Sequence, residues 1–204
     1  SALEGVGALK MRDAFGLDPY RACLGVAAAA NKRGARFFER TAVNKVKFGR
    51  KGADVFTDGA QVTAETVIVT TGIATLEFRQ LRRHFARREN YLVLTERMPP
   101  AMRRMVGARG ASIADMRSPH HRIRFTDDDR ILVSGADQDE TPARKRDAVL
   151  VQRTGQLMYE LLTMYPAISG LMPEFGWERS YGHTADGLPY IGPHRNFPRH
   201  LFAL

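Results

Sequence analysis

Val67-Ile68-Val69-Thr70-Thr71-Gly72 is the stretch that sets the fold class. Three consecutive β-branched residues closed by Thr-Thr-Gly read as a strand buried on both faces, the kind that lies inside a sheet covered by helices. Reading back from it, Gln61–Thr70 is the whole extended segment, and Asp58-Gly59 before it is a strong hairpin turn. Ala53–Thr57, Ala42–Phe48 and Ala35–Glu39 are three further extended segments. Asp18-Pro19 opens a helix, because Asp accepts from free first-turn amides and Pro suits the first helical position. That helix runs to about Arg33, where Gly34 stops it. A helix, a three-stranded meander and a buried strand make one unit.

Beyond Gly72 the pattern changes. Arg79–Arg88 concentrates basic residues, while Phe78, Leu81 and Phe85 recur at helical spacing. This reads as a helix with a buried face and a basic outer face, either solvated or turned to an anionic partner. Tyr91–Arg97 closed by Pro99-Pro100, Ser112–Arg117, Arg122–Thr126 and Ile131–Ser134 are extended, with polar residues between apolar ones in the first three. That alternation predicts an antiparallel sheet with one wet face. A long helix over Pro142–Tyr165 follows, with Leu150, Leu157, Leu161 and Val151, Met158, Leu162 on its apolar stripe and Pro166 at its end. From Trp177, read as a core or interdomain anchor, the chain is rich in Gly and Pro turns until the apolar Leu201–Leu204, read as a final strand.

Composition is that of an ordinary globular protein, with 44% apolar and 26% charged residues among 204. No apolar run approaches the ~20 residues of a membrane span. Cys23 is the one cysteine, which excludes an internal disulfide and a multi-cysteine metal site; no metal is expected. It reads as a small core residue of the first helix, and a cytoplasmic location fits. The net charge of +9 is spread along the chain, so nucleic acid is not the expected partner. Gly5-Val6-Gly7 does not read as a dinucleotide fingerprint, since Lys10 stands where the third glycine belongs and only four residues of this sequence precede Gly5.

Thr184-Ala185-Asp186-Gly187-Leu188-Pro189-Tyr190-Ile191-Gly192 resembles the T-x-D-G-x-P-x-I-G stretch of the FAD-dependent oxidoreductases related to D-amino-acid oxidase, glycine oxidase and sarcosine oxidase. Gly16-Leu17-Asp18-Pro19, Gly34-Ala35, Thr41-Ala42-Val43 and Val67–Gly72 are similar to four more landmarks of that family, in the same order. The resemblance implies a mixed α/β (α+β) architecture: a partial Rossmann-like FAD domain, residues 1–88 and 170–204, and an antiparallel β-sheet substrate domain with a long helix, residues 89–169. It also implies that the family's first βαβ unit, with its three-glycine loop, is absent. FAD is then expected to be held non-covalently, and weakly or not at all by this chain alone, with self-association through the surface that unit would cover.

Residue by residue, the resemblance sets Val43 by the adenine side of FAD, Thr71 and Gly72 in a turn close to the cofactor, and Gly187 and Pro189 beside the flavin ring. Each also reads as ordinary structure: strand core, a strand-end turn, a stiffened loop. Hydride transfer to flavin needs a positioned substrate and a dry site rather than a catalytic triad, so no catalytic side chain is assigned. His183 is a candidate substrate contact. His120 and His121 read as strand residues, facing either the pocket or solvent, and His84, His194 and His200 as surface. Glycine-oxidase-like members carry an arginine three residues before the motif threonine; here that position is Tyr181, with Arg179 two residues earlier. The expected substrate is therefore a small amine, as in the similar γ-glutamylputrescine oxidases, rather than a simple α-amino acid. The alternative is a non-catalytic basic binding module using Arg79–Arg88.

Overall fold

A computed structural model describes residues 7–11, 13, 16–49, 51–106, 112–117 and 119–204; Gly5 and Val6 lie outside them. In chain order the elements are α1 (Pro19–Lys32), β1 (Val43–Phe48), β2 (Ala53–Thr57), β3 (Gln61–Ala64), β4 (Val67–Val69), α2 (Arg79–Arg82), β5 (Ala86–Thr95), α3 (Pro100–Val106), β6 (Ser112–Ala114), β7 (Arg122–Phe125), β8 (Ile131–Asp139), α4 (Arg146–Met164), β9 (Pro173–His183), β10 (Ile191–His194) and β11 (Phe197–Ala203). They group into two compact units, residues 1–17 with 88–180 and residues 18–87 with 181–204. The mixed α/β class with antiparallel sheets and a long helix is what the sequence predicts.

In the unit of residues 18–87 and 181–204, Asp18 Oδ1 accepts from the Tyr20 and Arg21 amides and starts α1. Gly34, at φ +94°, ends it: Ala35 N–H donates to Ala30 O and Gly34 N–H to Asn31 O, the paired bonds of a Schellman stop. The meander is β1-β2-β3, all antiparallel. Ala35–Glu39 is not a strand, because Ala35 serves the helix stop and Glu39-Arg40 turn. The expected Gln61–Thr70 strand divides, β3 closing the meander and β4 joining a second sheet of order β10-β11-β4. Val69, Ala74, Phe78, Leu81, Phe197 and Phe202 form the core beneath that sheet. His200, expected at the surface, is 1% exposed among Phe48, Phe78 and Phe202, and Phe48 reaches it from the far end of β1.

Three expectations fail here. Ile68 is 65% exposed, so β4 is buried on one face only. None of the residues of α1 is buried, and Cys23 is exposed rather than core. The Arg79–Arg88 helix is a single turn, α2, after a 3₁₀ turn at Leu76–Phe78. Its C-terminal part enters β5, where Arg88 pairs with Asp139, so the basic residues share no helical face.

In the other unit, five strands in the order β6-β7-β8-β5-β9 form one sheet. Tyr91, Val93, Ile123, Phe125, Ile131 and Val133 face Leu157, Met158 and Leu161 of α4 across the main core. Pro100 does not merely close a strand; it occupies the first position of α3, where its missing N–H costs nothing. Val151 of the expected stripe is exposed. β9 was not legible as a strand, and its Trp177 is 39% exposed rather than a buried anchor.

Candidate functional site

β4 and β11 are parallel, with Leu201 opposite Ile68 and Phe202 opposite Val69, so both end at one edge of their sheet. In α/β sheets ligands sit in the crevice beyond the carboxyl ends of parallel strands. β4 runs out into Thr70-Thr71-Gly72, where Gly72 has φ +74° and Thr71 Oγ1 donates to Ile73 O at 2.8 Å. Beyond β11, Leu204 and Tyr190 exchange both backbone hydrogen bonds, at 2.9 and 3.0 Å, which pins the Thr184–Tyr190 loop to the same edge.

That loop is tied to itself. Thr184 Oγ1 donates to Leu188 O at 2.7 Å, Leu188 N–H donates to Asp186 Oδ1 at 3.1 Å, and Gly187 N–H donates to Thr184 O at 3.2 Å. The Leu188 amide and the Thr184 hydroxyl hold the exposed Asp186 carboxyl below its usual range. Gly187 sits at φ +70°, a conformation an L side chain would strain. A Cβ at Gly182 would stand 3.1 Å from Gly72 O and 3.1 Å from the Phe85 ring, so the backbones of Gly72 and Gly182 lie against each other. A Cβ at Gly72, Gly187 or Gly192 would instead meet no described atom within 4 Å. At these three glycines the backbone is therefore open to a flat group that must come close.

The structure thus gathers Thr71, Gly72, Gly187 and Pro189 at one sheet edge. Tyr181 and His183 join them through Gly182, Tyr181 half-buried and His183 exposed. Tyr190 is braced behind the loop by His84, Phe85 and Phe202, with ring centroids 6.1 to 6.4 Å away. Val43 stands in the other sheet of its unit, opposite Thr57 and half-exposed. Arg179 lies on β9 in the five-stranded unit, exposed.

A second polar assembly in the five-stranded unit was not foreseen. Buried His121, just before β7 rather than on it, lies 2.7 Å from Asp115 Oδ2 through Nδ1 and 2.7 Å from Glu160 Oε2 through Nε2. Burial disfavours its charge, but the two carboxylates outweigh that and raise its pKa above 6.5. Glu160 accepts from Gln156, Gln156 from Arg153, and Arg153 donates to Gln138. Gln138 donates to Tyr91 and Thr141, which both donate to buried Glu89. Burial raises the Glu89 pKa, and hydrogen bonds from Thr141, Tyr91 and Gln138 overcome it and hold the carboxyl below its usual range. Linear spacing gives no sign of this chain of partners, because His121 and Glu160 are 39 residues apart.

The sequence pattern of the FAD dependent oxidoreductase family, DAO, matches residues 2–204. The chain belongs to the DAO family. Glycine oxidase of Bacillus subtilis (strain 168) is 26% identical over 205 residues, covering 97% of this chain and 51% of that protein. The chain thus spans about half the length of this curated DAO relative. Among solved structures, L-proline dehydrogenase from P. horikoshii is similar with a TM-score of 0.71 at 17% identity, covering 91% of this chain and 49% of its own. Glycine oxidase from Geobacillus kaustophilus is similar with a TM-score of 0.67 at 19% identity, covering 88% of this chain and 46% of its own. At these identities the solved structures show the DAO fold. Membership implies FAD, and the open backbone at Gly72 and Gly187 suits such a group. Among the described residues no helix is long and apolar enough to cross a membrane.

Proposed function

We propose that this chain serves an FAD-dependent enzyme that oxidises a C–N bond of a small amine or amino acid. The observation that carries the reading is the edge beyond β4 and β11, where Gly72 and Gly187 leave open space on rigid, hydrogen-bonded turns. FAD supplies the hydride acceptor when bound. Gly72, Gly187 and Pro189 let the backbone approach it, and Thr71 and Thr184 hold those turns in shape. Val43 takes the adenine side. Tyr181 and His183, at the same edge, orient the substrate; the unit of residues 88–180 is the substrate unit, and Arg179 is its contact to the substrate.

Tyr181 favours an amine or N-substituted amine over a simple α-amino acid. A phenol lacks the charged two-donor fork that a carboxylate prefers beside the reacting carbon. One lost charged hydrogen bond, worth ~1.5–3 kcal/mol, weakens binding roughly tenfold or more. The test is flavin reduction by the native, flavin-loaded protein with glycine, sarcosine, D-amino acids and a panel of primary and secondary amines. Reduction by amines supports the reading. A preference for α-amino acids that is lost in Arg179→Ala would show instead that Arg179 clamps an α-carboxylate, and no reduction by any of them would remove the proposal.

The sequence contains no G-x-G-x-x-G run, whose amides supply most of the pyrophosphate grip. The 204-residue chain by itself is therefore expected to take up FAD weakly or not at all, and tight stoichiometric uptake in a titration would contradict this. The linkage is expected to be non-covalent, since Cys23 lies on α1, far in sequence from Thr184–Gly192. Yellow colour retained by acid-precipitated holoprotein would overturn that.

A further inference from the structure

Gly182, near the end of β9, has three neighbours packed around the place where a side chain would begin. A Cβ there would stand 3.1 Å from Gly72 O, 3.1 Å from Phe85 Cδ1 and 3.3 Å from Ile73 Cγ1. Carbon atoms pack at about 3.5–4.0 Å, so a methyl group would fit only if these neighbours gave way. Gly182 and all three neighbours belong to the unit of residues 18–87 and 181–204.

Neither side can give way alone. Gly72, at φ +74°, is the middle of a turn whose flanks are tied together, since Thr71 Oγ1 donates to Ile73 O at 2.8 Å. On the other side Phe85 packs edge-on against Tyr190, with ring centroids 6.2 Å apart. Tyr190 is in turn held by its two backbone hydrogen bonds to Leu204. Gly182 therefore touches the Thr71–Ile73 turn directly and the Thr184–Tyr190 loop through Phe85. Its lack of a side chain serves a different end from that of Gly72 and Gly187. A Cβ at either of those would meet no described atom within 4 Å, so they leave room for a ligand, whereas Gly182 leaves room for the protein's own backbone.

We infer that Gly182, backed by Phe85, is a positioning residue for FAD, which acts through Gly72 and Tyr190 by fixing the spacing of the two turns. The inference rests on the reading of this edge as the flavin site. A rigid planar group held by two turns tolerates little change in their separation, because a binding site must keep its groups within about 0.5 Å of the productive geometry. A methyl at Gly182 presses on both turns at once and has no open side toward which to relax.

The test has two parts. In amide correlation spectra of the 204-residue chain, Gly182→Ala should move the signals of Thr71, Gly72 and Ile73 and also those of Gly187, Leu188 and Tyr190. In the native holoprotein the same substitution should raise the dissociation constant for FAD about tenfold or more and alter the visible absorption of the flavin that stays bound. Gly176→Ala is the control for damage to β9 as such: its Cβ would meet Thr154 Oγ1 at 2.6 Å, and it should leave FAD affinity and the flavin spectrum unchanged. Phe85→Leu removes the link to Tyr190 without adding bulk. It should weaken FAD to a similar degree, and it carries the test if Gly182→Ala does not fold. Signals that move at only one of the two turns, or an equal loss of FAD in Gly176→Ala, would overturn the inference. Gly187→Ala separates it from the functional reading. FAD lost in Gly187→Ala but retained in Gly182→Ala and Phe85→Leu removes this inference alone, and FAD affinity unchanged in all three removes the reading of the edge as the flavin site.

Discussion

His121 is an imidazole held between two carboxylates in a nearly closed site, and its proton is part of the fold. Because its pKa is raised above 6.5, the folded state binds that proton more tightly than the unfolded chain does. Its stabilisation is fully present below about pH 6.5 and drains away as pH rises through the folded value. Asp115 behaves oppositely. Burial raises its pKa, but bonds from His121 outweigh that and hold it below 3.8, so its contribution is present above 3.8 and is lost as pH falls through the folded value. The difference in urea midpoint between the native sequence and His121→Gln, followed by Trp177 fluorescence, should be largest in mild acid and shrink above about pH 6.5. A difference constant from about pH 5 to about pH 9 would contradict this. Gly135 borders the same imidazole. A Cβ there would stand 2.9 Å from His121 Cδ2 and 3.2 Å from His120 O. Gly135→Ala should cost ~1–3 kcal/mol, read as a lower urea midpoint at unchanged slope.

The two long helices show how differently an element can depend on its surroundings. α4 buries Leu157, Met158, Leu161 and Met164, and truncating Leu161 to Ala should cost ~2–5 kcal/mol of global stability. α1 has sound start and stop signals yet buries none of its residues, so it draws on its own caps. Asp18→Ala should weaken it by ~1 kcal/mol, seen as faster amide exchange in Tyr20–Ala22 while the global unfolding midpoint barely moves. A fall in that midpoint as large as for Leu161→Ala would show α1 to be part of the cooperative core. Such local signals were legible in the sequence: the α1 caps, the Asp58-Gly59 turn, β2, and the apolar stripe of α4. What was missed is long-range. Phe78, Leu81 and Phe85 do have helical spacing, but the β5–β8 ladder takes the chain from Ala86 onward. β9 was hidden because the chain from Trp177 onward, with Gly182, Gly187 and Gly192, looked like turns. Within β9, Gly176 instead admits Thr154 Oγ1, 2.6 Å from where a Cβ would be, and Gly182 admits Gly72 O at 3.1 Å. At the candidate site, Gly72 and the Thr184–Gly192 block could be picked out, but the approach of Gly182 to Gly72 is tertiary and leaves no mark on spacing.

At the scale of the whole molecule, apolar surface and net charge oppose each other. Leu24 and Val26 of α1, Ile68 of β4, and Phe37 and Phe38 are all exposed in one unit. The charge of +9 keeps copies apart at low ionic strength. Self-association in sedimentation velocity should therefore grow as salt rises from ~20 to ~300 mM and the Debye length contracts. Association that weakens with salt would point to ionic contacts instead. There is also a matter of timing. The core that Val69 and Phe78 begin is completed by Phe197 and Phe202, and β4 finds its parallel partner only in the last strand of the chain. A ribosome releases the 88–180 unit in between, and that unit has its own core to collapse around. Each doubling of the loop to be closed adds only ~0.6 kcal/mol, so the late pairing is thermodynamically cheap. Kinetically it is slow: β4 and β11 pair only after the intervening 88–180 unit has been made. β4 thus waits through the synthesis of a whole unit for β11, and a newborn chain that holds the one without the other is open to chaperone capture, or to clumping, during that wait.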